Sequence, residues 1–385
     1  MRASLGLFAL LASGGGSAIG AEAQSPRSNP PLTSWTMQEV WRRDGTESGE
    51  PFAMPRDLLA SKDGTLWMRD FKDQRIRRFD GNGKELSGVG RLGSGPGEFR
   101  NANGLLLHPD GSVWVNDPLN ARLSIFTPNG KYSRQVTVAT TGWGMHWDAW
   151  IDAARGRVAD PILITRGFGG ARSGWRLLTA GAPRRDTIAR PSCPSGAVPP
   201  AMRYSATRTG KNAGAMMGRY PFTTGGGEAP DGRGGMWCAD AGSTRVALVR
   251  IPRGDTIART SIDLPPLSVG RAERDSVARA MTKAVAAYTT SDFDASKLRS
   301  TKPGIAYVQV DDDRRLWVQH SRLYGSSTTT FDVHDRRGSH VARVSLPAVL
   351  LHDGFMPIVA RGNDVWANVV DADGVPAVAR FRIVK

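Results

Sequence analysis

Six copies of one strand-rich unit, turns rich in glycine and proline, and a single amphipathic helical stretch predict an all-β fold. We expect a six-bladed β-propeller with one helical insertion between blades 4 and 5. The 385-residue chain contains 45 glycines and 24 prolines, which separate short apolar runs without a three-residue period. That spacing excludes a collagen-like chain and is typical of many tight turns. Hydrophobic residues make up 40% of the chain, which is enough for a packed core.

The N-terminal residues predict export. A basic second residue precedes an apolar run over residues 5–12, and small residues typical of a cleavage site follow it. We expect a signal peptide over residues 1–23, a flexible leader over 24–34, and a periplasmic or extracellular propeller over 35–385. A buried N-terminal strand is the alternative interpretation of the run. The run is too short to span a bilayer, and no later stretch is long and apolar enough, so we do not expect a transmembrane protein.

The chain has two cysteines, Cys193 and Cys238. In an oxidising compartment a disulfide between them would close a loop of 46 residues and contribute about 3–4 kcal/mol in the chain-entropy model. We favour this bond over two unpaired thiols. Without a C-x-x-C spacing, the two sulfurs do not indicate a metal site.

The net charge is +15, with 51 Lys and Arg against 36 Asp and Glu. Such a surface attracts anionic polymers in a salt-dependent way. The basic residues are nevertheless spread along the chain, without a basic run or a recognition helix. We therefore expect no nucleic-acid partner.

The repeated unit is clearest in two stretches. "KDGTLWMRDFKDQRIRRFDGNGK" (62–84) aligns without a gap with "PDGSVWVNDPLNARLSIFTPNGK" (109–131), and its Trp67 falls on Trp114, 47 residues later. Each of these two units contains an apolar strand, an Asp-Gly turn, a strand with the tryptophan, a third strand and an Asn-Gly turn. A unit of this length with three or four short antiparallel strands is typical of a propeller blade. Fainter copies contain Trp237, Trp317 and Trp366, and a degenerate copy covers residues 150–166.

Gly88, Gly90 and Gly93 spell G-x-G-x-x-G, the motif of a dinucleotide site. That motif requires a helix that opens at the third glycine. Here "SGPGEF" follows, and its proline and further glycines do not begin a helix. We interpret the glycines as the connection from one blade to the next.

Two segments interrupt the repeat. The first insertion, about 191–227, is rich in glycine, proline and methionine and is predicted to be a long loop. The second, about 265–303, contains a helix with one apolar face within 268–293. That face consists of Val277, Met281, Ala284 and Tyr288. We expect the helix to lie across one face of the propeller with its polar side solvated; a membrane-surface helix is the alternative. "WTMQEVWRR" (35–43) alternates like a strand and is expected to complete the last blade.

The stretch "GSGPGEFRNANGLLLHPDGSVWVNDPLNARLSIFTPNGK" resembles an NHL-type repeat of six-bladed bacterial β-propellers. The resemblance is specific over residues 51–131, weaker over 227–251, and only periodic elsewhere. It implies the fold and no particular chemistry.

Propeller sites lie where the inner strands begin, at one mouth of the central channel. The position seven residues before the aspartate of the Asp-Gly turn, or before the equivalent residue where that turn is missing, holds Arg56, Asn103 and Asp148 in the first three units. Six-bladed lactonases of the gluconolactonase and paraoxonase kind, which this chain resembles in fold, hold a channel cation, usually calcium, with carboxylates and asparagines. The resemblance implies Asn103 and Asp148 as possible ligands, then Glu228, and Asp57 if the register shifts by one. Arg56, however, stands where an acidic ligand would be needed.

Two histidines are the other candidates for chemistry at the mouth. His146 and His352 lie near predicted channel entrances, and each is followed within two residues by a carboxylate, Asp148 or Asp353. Such a pair can carry out acid–base chemistry or bind zinc with further ligands, as in propeller lyases. An ordinary hydrogen-bonding histidine in a turn is the alternative. H-E-x-x-H and G-x-S-x-G are absent, so metalloprotease and serine-hydrolase interpretations have no support.

We therefore expect a monomeric, non-catalytic binding module with no cofactor, which recognises a protein, peptide or glycan partner. The expected ligand-binding residues at the channel mouth are Arg56, Asp57, Asn103, His146, Asp148, Glu228 and His352. The alternative is a metal-dependent lactonase-type hydrolase or a lyase with calcium in the same channel. A third possibility is a basic module that holds anionic cell-envelope polymers, which predicts salt-sensitive binding.

Overall fold

The computed structural model of the protein describes most of the chain from Thr33 to Lys385, which forms one compact unit. The expected signal peptide and most of the expected leader lie outside the described residues. The described ranges are 33–71, 73–138, 147–153, 156–165, 172–179, 186–193, 201–208, 211–223, 227–239, 244–286, 290–351 and 358–385.

These residues form thirty strands, one α-helix and three short 3-10 helices. The strands in the first half of the chain are β1 (Ser34–Arg43), β2 (Pro55–Ala60), β3 (Leu66–Asp70), β4 (Arg75–Phe79), β5 (Glu85–Val89), β6 (Leu105–Leu107), β7 (Val113–Asp117), β8 (Arg122–Phe126), β9 (Tyr132–Thr137), β10 (Trp150–Asp152), β11 (Arg157–Thr165), β12 (Arg172–Leu178) and β13 (Thr187–Ala189). Those in the second half are β14 (Ala201–Arg208), β15 (Lys211–Arg219), β16 (Gly227–Pro230), β17 (Gly235–Ala239), β18 (Arg245–Arg250), β19 (Thr256–Ser261), β20 (Leu267–Ser268), β21 (Thr290–Ser291), β22 (Thr301–Lys302), β23 (Ile305–Val310), β24 (Leu316–His320), β25 (Thr329–His334), β26 (His340–Leu346), β27 (Val349–Leu350), β28 (Val359–Arg361), β29 (Asp364–Val370) and β30 (Pro376–Val384). The helices are α1 (Arg271–Val285) and the 3-10 helices Thr46–Ser48, Pro118–Asn120 and Ala295–Lys297.

The fold is all-β and propeller-like, and it is built from four-stranded antiparallel meanders. Meanders 1 (β2–β5), 2 (β6–β9), 3 (β10–β13) and 4 (β16–β19) are separate sheets. A nine-stranded sheet contains meander 5 (β23–β26) and meander 6 (β28, β29, β30 and β1), which are joined where β1 pairs in parallel with β26. β1 also pairs with β30, from Thr36 opposite Val384 to Arg43 opposite Val378. The expectation that residues 35–43 complete the last unit is confirmed.

The repeated tryptophans are core residues in register. Each lies in the second strand of its meander and is at most 2% exposed. Alternate side chains of a strand point to opposite faces of the sheet. The tryptophan at this position therefore faces the adjacent meander on the same side in each unit. Replacing such a buried tryptophan by alanine typically costs about 3–5 kcal/mol. The five positions are Trp67, Trp114, Trp237, Trp317 and Trp366.

Hydrophobic clusters join each meander to the next. Meander 6 also packs on meander 1, through Trp366 and Val378 of the former and Leu66 and Phe79 of the latter. The contacts therefore run through all the meanders and return to the first. The other junctions are meanders 1 and 2 (Trp67 with Phe99), 2 and 3 (Trp114 with Trp147), 3 and 4 (Trp175 with Met236), 4 and 5 (Trp237 with Val308), and 5 and 6 (Trp317 with Val365).

In the first two units, the aspartates of the repeat hold the loop that leads into the first strand. Asp70 accepts hydrogen bonds from the backbone N–H groups of Ala53 and Met54, both at 2.8 Å. Asp117 accepts one from Asn101 N–H at 2.9 Å. A carboxylate that accepts backbone N–H groups satisfies donors that would otherwise be unpaired in a buried loop.

The Gly-rich motif is a connector, as expected. Gly88 lies in β5, and no helix follows Gly93 among residues 73–117. Gly90 has φ +83°, and a Cβ there would lie 2.2 Å from the ring of Phe99. Only glycine combines this backbone conformation with that approach.

The two insertions form one substructure. The first does not follow the loop prediction, because β14 and β15 form a hairpin that pairs from Ala201 opposite Arg219 to Arg208 opposite Lys211, with one register shift. β21, from the second insertion, pairs with β14. Val277 and Met281 of α1 pack against Tyr220 of the first insertion. We call the described parts of 201–223 and 267–302 the cap.

Helix α1 is confirmed, but the predicted apolar face is only partly correct. Val277 and Met281 are half-buried, whereas Ala284 is exposed. The packing on Tyr220, together with the pairing of β14 with β21, places the contact between α1 and the first insertion near the middle of the helix. Ala284 lies beyond this contact, towards the end of the helix. Tyr288 lies outside the described residues. No helix in the described part of the chain has the length and apolar character needed to cross a bilayer.

Candidate binding site at the leading edge

Four residues expected at the channel mouth lie where first strands begin. In an antiparallel four-stranded meander, the first strand begins at the edge where the fourth strand ends. Because the chain passes from the fourth strand of one meander to the first strand of the next, we call this shared edge the leading edge. Arg56 lies in β2, Asn103 and Asp148 shortly precede β6 and β10, and Glu228 lies in β16. Both parts of the cap also follow fourth strands, β13 and β19, and therefore emerge at the same edge.

The first strands of neighbouring meanders lie side by side. β2 lies next to β6 of meander 2 on one side and next to β28 and β29 of meander 6 on the other. β16 of meander 4 lies next to β23 of meander 5. In these pairs of meanders, the first strands therefore lie at the junction between neighbours.

Asp57 belongs to a buried ion pair. Its Oδ2 lies 2.5 Å from Nε of Arg69, and the two residues are 6% and 0% exposed. Arg69 Nη1 also donates to the carbonyl oxygen of Ala102 at 2.7 Å. The pair therefore ties meander 1 to the segment that contains Asn103, which is itself 1% exposed. A metal at Asp57 would have to compete with a guanidinium group for the same carboxylate.

Arg56 is buried, and among the described residues it has no carboxylate of its own. It is 6% exposed, and its Cζ lies 4.4 Å from the centre of the Phe71 ring. Nη2 donates to Sδ of Met54, a weak acceptor, whereas Nε and Nη1 have no hydrogen-bond partner. Burial and then the charge of Arg69 lower the pKa of Arg56, against the opposing effect of Asp57. Asp57, the only described carboxylate that acts on Arg56, is already paired with Arg69.

Polar side chains at the junctions bind the backbone of the next first-strand segment. Gln309 of meander 5 donates from Nε2 to the carbonyl of Ile358 at 3.0 Å and accepts from its N–H at 2.9 Å. Asn368 of meander 6 donates from Nδ2 to the carbonyl of Arg56. Asn116 has the corresponding position in meander 2 and is fully buried, but neither atom of its amide has a hydrogen-bond partner. The leading edge thus contains a buried amide whose two N–H groups and oxygen have no partner among the described residues.

Asp148 and Glu228 have different surroundings. Asp148 is exposed, and its charge, after burial of the phenol, raises the pKa of Tyr307 to about 12. Since Tyr307 lies in the first strand of meander 5, this effect places Asp148 of meander 3 near meander 5. Glu228 instead forms an ion pair with Arg190. The structure therefore brings Arg56, Asp57 and the Asn103 segment together, and it commits Glu228 to a separate pair.

The described residues contain no group of three or more His, Cys, Asp and Glu side chains arranged to hold a metal ion. Of the two predicted ligands, Asn103 is buried and Asp148 is exposed. His146 and His352 lie outside the described residues, so the histidine hypothesis stays a prediction.

Sequence reasoning missed a second polar cluster, on the outer strands of meander 5. Asp332 is 2% exposed, and its carboxylate lies 2.9 Å from His320 Nε2, 3.2 Å from His340 Nε2 and 2.9 Å from Arg343 Nε. Burial acts to raise the pKa of Asp332, but the hydrogen bonds from His320, Arg343 and His340 hold it well below its ordinary value. These residues lie in three successive strands, and no motif in the sequence distinguishes them from ordinary strand residues.

Two cavities lie away from the Arg56 group. One, of about 290 Å³, lies between the base of the second insertion (Leu264, Leu267) and meander 5 (His320, Thr330). The other, of about 510 Å³, is lined by residues of meanders 3 and 4 such as Trp150 and Ile251.

Cys193 and Cys238 form a disulfide, with their Cα atoms 5.5 Å apart. Cys238 lies in β17, and Cys193 lies just after β13. The bond therefore ties the start of the first insertion to meander 4.

Comparisons with known proteins find similar structures but do not identify a family. No protein-family model and no curated protein matches the chain. A streptogramin B lyase structure is similar at 12% identity and a TM-score of 0.44, over 91% of this chain and 98% of that one. A luciferin-regenerating enzyme is similar at 11% identity and a TM-score of 0.42, over 91% and 96%. The PQQ-bound aldose sugar dehydrogenase of Streptomyces coelicolor is similar at 11% identity and a TM-score of 0.43, over 92% and 100%. These similarities assign no activity to the chain.

Proposed function

We propose that the chain is an exported, monomeric, six-bladed NHL-like β-propeller that binds a protein, peptide or glycan partner without catalysing a reaction. Meanders 1–6 are its blades, β1 closes the ring, and the first strands line the central channel. The cycle of hydrophobic clusters, in which meander 6 packs on meander 1, supports this ring. The Cys193–Cys238 disulfide supports an oxidising compartment.

The proposal of a binding function rests on which charged groups at the leading edge are paired and which are not. Metal-assisted hydrolysis needs several oxygen ligands around one point, and proton transfer needs a base within reach of its substrate. Asp57 is instead held by Arg69, and Glu228 by Arg190. Next to Asp57, the N–H groups of Arg56 Nε and Nη1 are unused. This part of the edge is better suited to recognise a polar, anionic group than to transform it.

The cap adds further surface at the leading edge. Inserted segments on a rigid scaffold are a common place for specificity. Both insertions emerge at the leading edge and are tied together by the β14–β21 pairing. A partner bound over the first strands would therefore meet the cap as well.

Binding to peptide and glycan arrays tests the proposal. The full purified chain is incubated with the arrays, and the hits are titrated against two variants, Tyr307→Ala and Lys62→Ala. Tyr307 lies on a first strand near the Asp148 charge, whereas Lys62 is exposed in the turn at the opposite edge, between β2 and β3. We expect specific hits whose affinity falls in Tyr307→Ala and is unchanged in Lys62→Ala.

The same preparation is assayed for hydrolysis of lactones with and without added calcium, and we expect no activity. Calcium-dependent turnover that is lost in Asn103→Ala would contradict the proposal and favour the lactonase alternative. Binding that disappears at high salt and shows no sequence or sugar preference would instead indicate a basic module for anionic polymers.

A further inference from the structure

We propose that Arg56 is the anchor for a carboxylate of an acidic peptide bound at the leading edge. This inference rests on the proposed binding function and names the chemistry of its ligand. It follows from the unpartnered Arg56 guanidinium, the apolar groups beside it and the unpartnered amide of Asn116.

Arg56 has the environment of a cation that lacks its counter-ion. It is 6% exposed, Nε and Nη1 have no partner, and the adjacent Asp57 is paired with Arg69 at 2.5 Å. A buried charge without an opposite charge is strongly unfavourable, so a site of this kind is stabilised when an anion arrives. A carboxylate is the matching partner, because its two oxygens accept N–H groups from a planar guanidinium.

A second buried arginine provides the comparison: only Nε of Arg78 has no hydrogen-bond partner among the described residues, whereas both Nε and Nη1 of Arg56 have none. Arg78 is also 6% exposed, and it stacks on Trp67, with its Cζ 4.6 Å from the ring centre. Its guanidinium, however, donates to the carbonyl oxygens of Asn129 and Pro128, at 2.9 and 3.1 Å. Arg78 therefore has a structural role at the junction of meanders 1 and 2, and it is the matched control for Arg56.

The surroundings favour a peptide as the source of the carboxylate. Phe71 and Met54, both half-buried, contact the Arg56 guanidinium and offer apolar surface beside it. Among the described residues, nothing pairs with the two N–H groups or the oxygen of the Asn116 amide, and a peptide group can both accept from and donate to such an amide. Gln309 already binds the peptide group of Ile358 in this two-way manner at another junction. A uronic-acid sugar supplies the carboxylate but no peptide group.

The net charge of +15 supports an anionic partner as well. A positive protein attracts acidic partners over a distance and raises the rate of association. The specific contact is nevertheless the short-range one at Arg56, so affinity depends on this residue even at a salt concentration that screens the long-range attraction.

The test uses peptides printed in matched pairs. Each peptide carries Asp or Glu, or a free C terminus, and its partner carries Asn or Gln, or a C-terminal amide. Hits are titrated with the wild-type chain, with Arg56→Met and Arg56→Lys, and with the control Arg78→Met. Met is close to Arg in length and removes only the charged end. We expect binding to require the carboxylate, to weaken about tenfold or more in Arg56→Met, and to keep an intermediate affinity in Arg56→Lys, which retains charge but not the planar group.

Melting temperatures of the free variants give a second readout. Removing an uncompensated buried charge should raise the Tm in Arg56→Met, whereas Arg78→Met should lower the Tm and leave peptide affinity unchanged. A lower Tm in Arg56→Met would overturn the anchor, because it would show that the group has a structural partner.

The arrays separate failure of the anchor from failure of the proposed function. Peptides that bind Arg56→Met as tightly as wild type, or that do not distinguish carboxylate from amide, overturn the anchor and leave the binding function standing. Hits confined to uronic-acid glycans overturn the choice of a peptide. The absence of any hit overturns both proposals.

Discussion

At the residue scale, Arg56 and Arg78 show that the surroundings of a side chain decide its role. Both are 6% exposed, and burial lowers the pKa of both. Arg78 donates to the backbone of the next meander, while two nitrogens of Arg56 have no partner. The same side chain, equally buried, is a structural group in one place and a candidate ligand contact in the other.

Asp332 provides a prediction about pH at the same scale. Its pKa in the folded protein lies below the ordinary value, so the folded state binds the proton less readily than the unfolded chain does. The carboxylate therefore stabilises the fold fully above about pH 4, and this contribution is lost as the pH falls further. We expect Asp332→Asn to lower the free energy of unfolding by about 3–5 kcal/mol at neutral pH, because His320 and Arg343 lose a buried anion. Urea unfolding between pH 2 and pH 7, values chosen to bracket the ordinary carboxyl pKa, measures it.

The control for this prediction is Asp373→Asn, at an exposed turn position. It should leave both the stability and its pH dependence almost unchanged. An Asp332→Asn protein with wild-type stability at pH 7, or with the wild-type loss of stability in acid, would show that Asp332 does not hold the outer strands of meander 5 together.

At the element scale, β1 is the strand on which the proposed ring closure depends. It pairs with β30 on one side and β26 on the other, although it lies at the opposite end of the chain. Trp35 is 6% exposed and belongs to the cluster between meanders 5 and 6. Without β1, both neighbouring strands would expose unpaired backbone groups, and such open edges promote association.

We therefore expect a chain that begins at Asp44 to melt several degrees below one that begins at Thr33, since it loses a buried strand worth several kcal/mol, and to form oligomers. Differential scanning calorimetry and light scattering measure these two effects. As a milder test, Trp35→Ala should lower the Tm in the same direction. A monomeric protein with an unchanged Tm after removal of β1 would mean that this strand does not close the ring.

The cap shows which elements local sequence patterns describe and which they do not. Helix α1 was predictable because its apolar spacing lies within fifteen consecutive residues. The β14–β15 hairpin was not, because glycine, alanine and methionine have no marked preference for strands. Its third strand, β21, comes from more than 80 residues later in the chain. A pairing of that sequence separation leaves no local signal.

At the scale of the whole molecule, the repeat made the fold predictable from sequence. The 47-residue match of Trp67 to Trp114 defined the unit, and the same unit placed Arg56 and Asn103 at equivalent positions of their first strands. The sequence did not show that Arg69 takes up Asp57 or that Arg190 takes up Glu228. Those pairings depend on packing between strands and loops, and they turn a candidate set of metal ligands into a set of ion pairs.

The metal content of the purified protein tests the central claim, a leading edge that binds a partner without metal chemistry. The full chain is purified without chelators, its metal is measured by mass spectrometry, and its melting temperature is recorded with and without EDTA. We expect no stoichiometric calcium or zinc and an unchanged Tm. One bound calcium or zinc per chain, together with a clear fall in Tm on chelation, would contradict the account and identify the channel as a metal site.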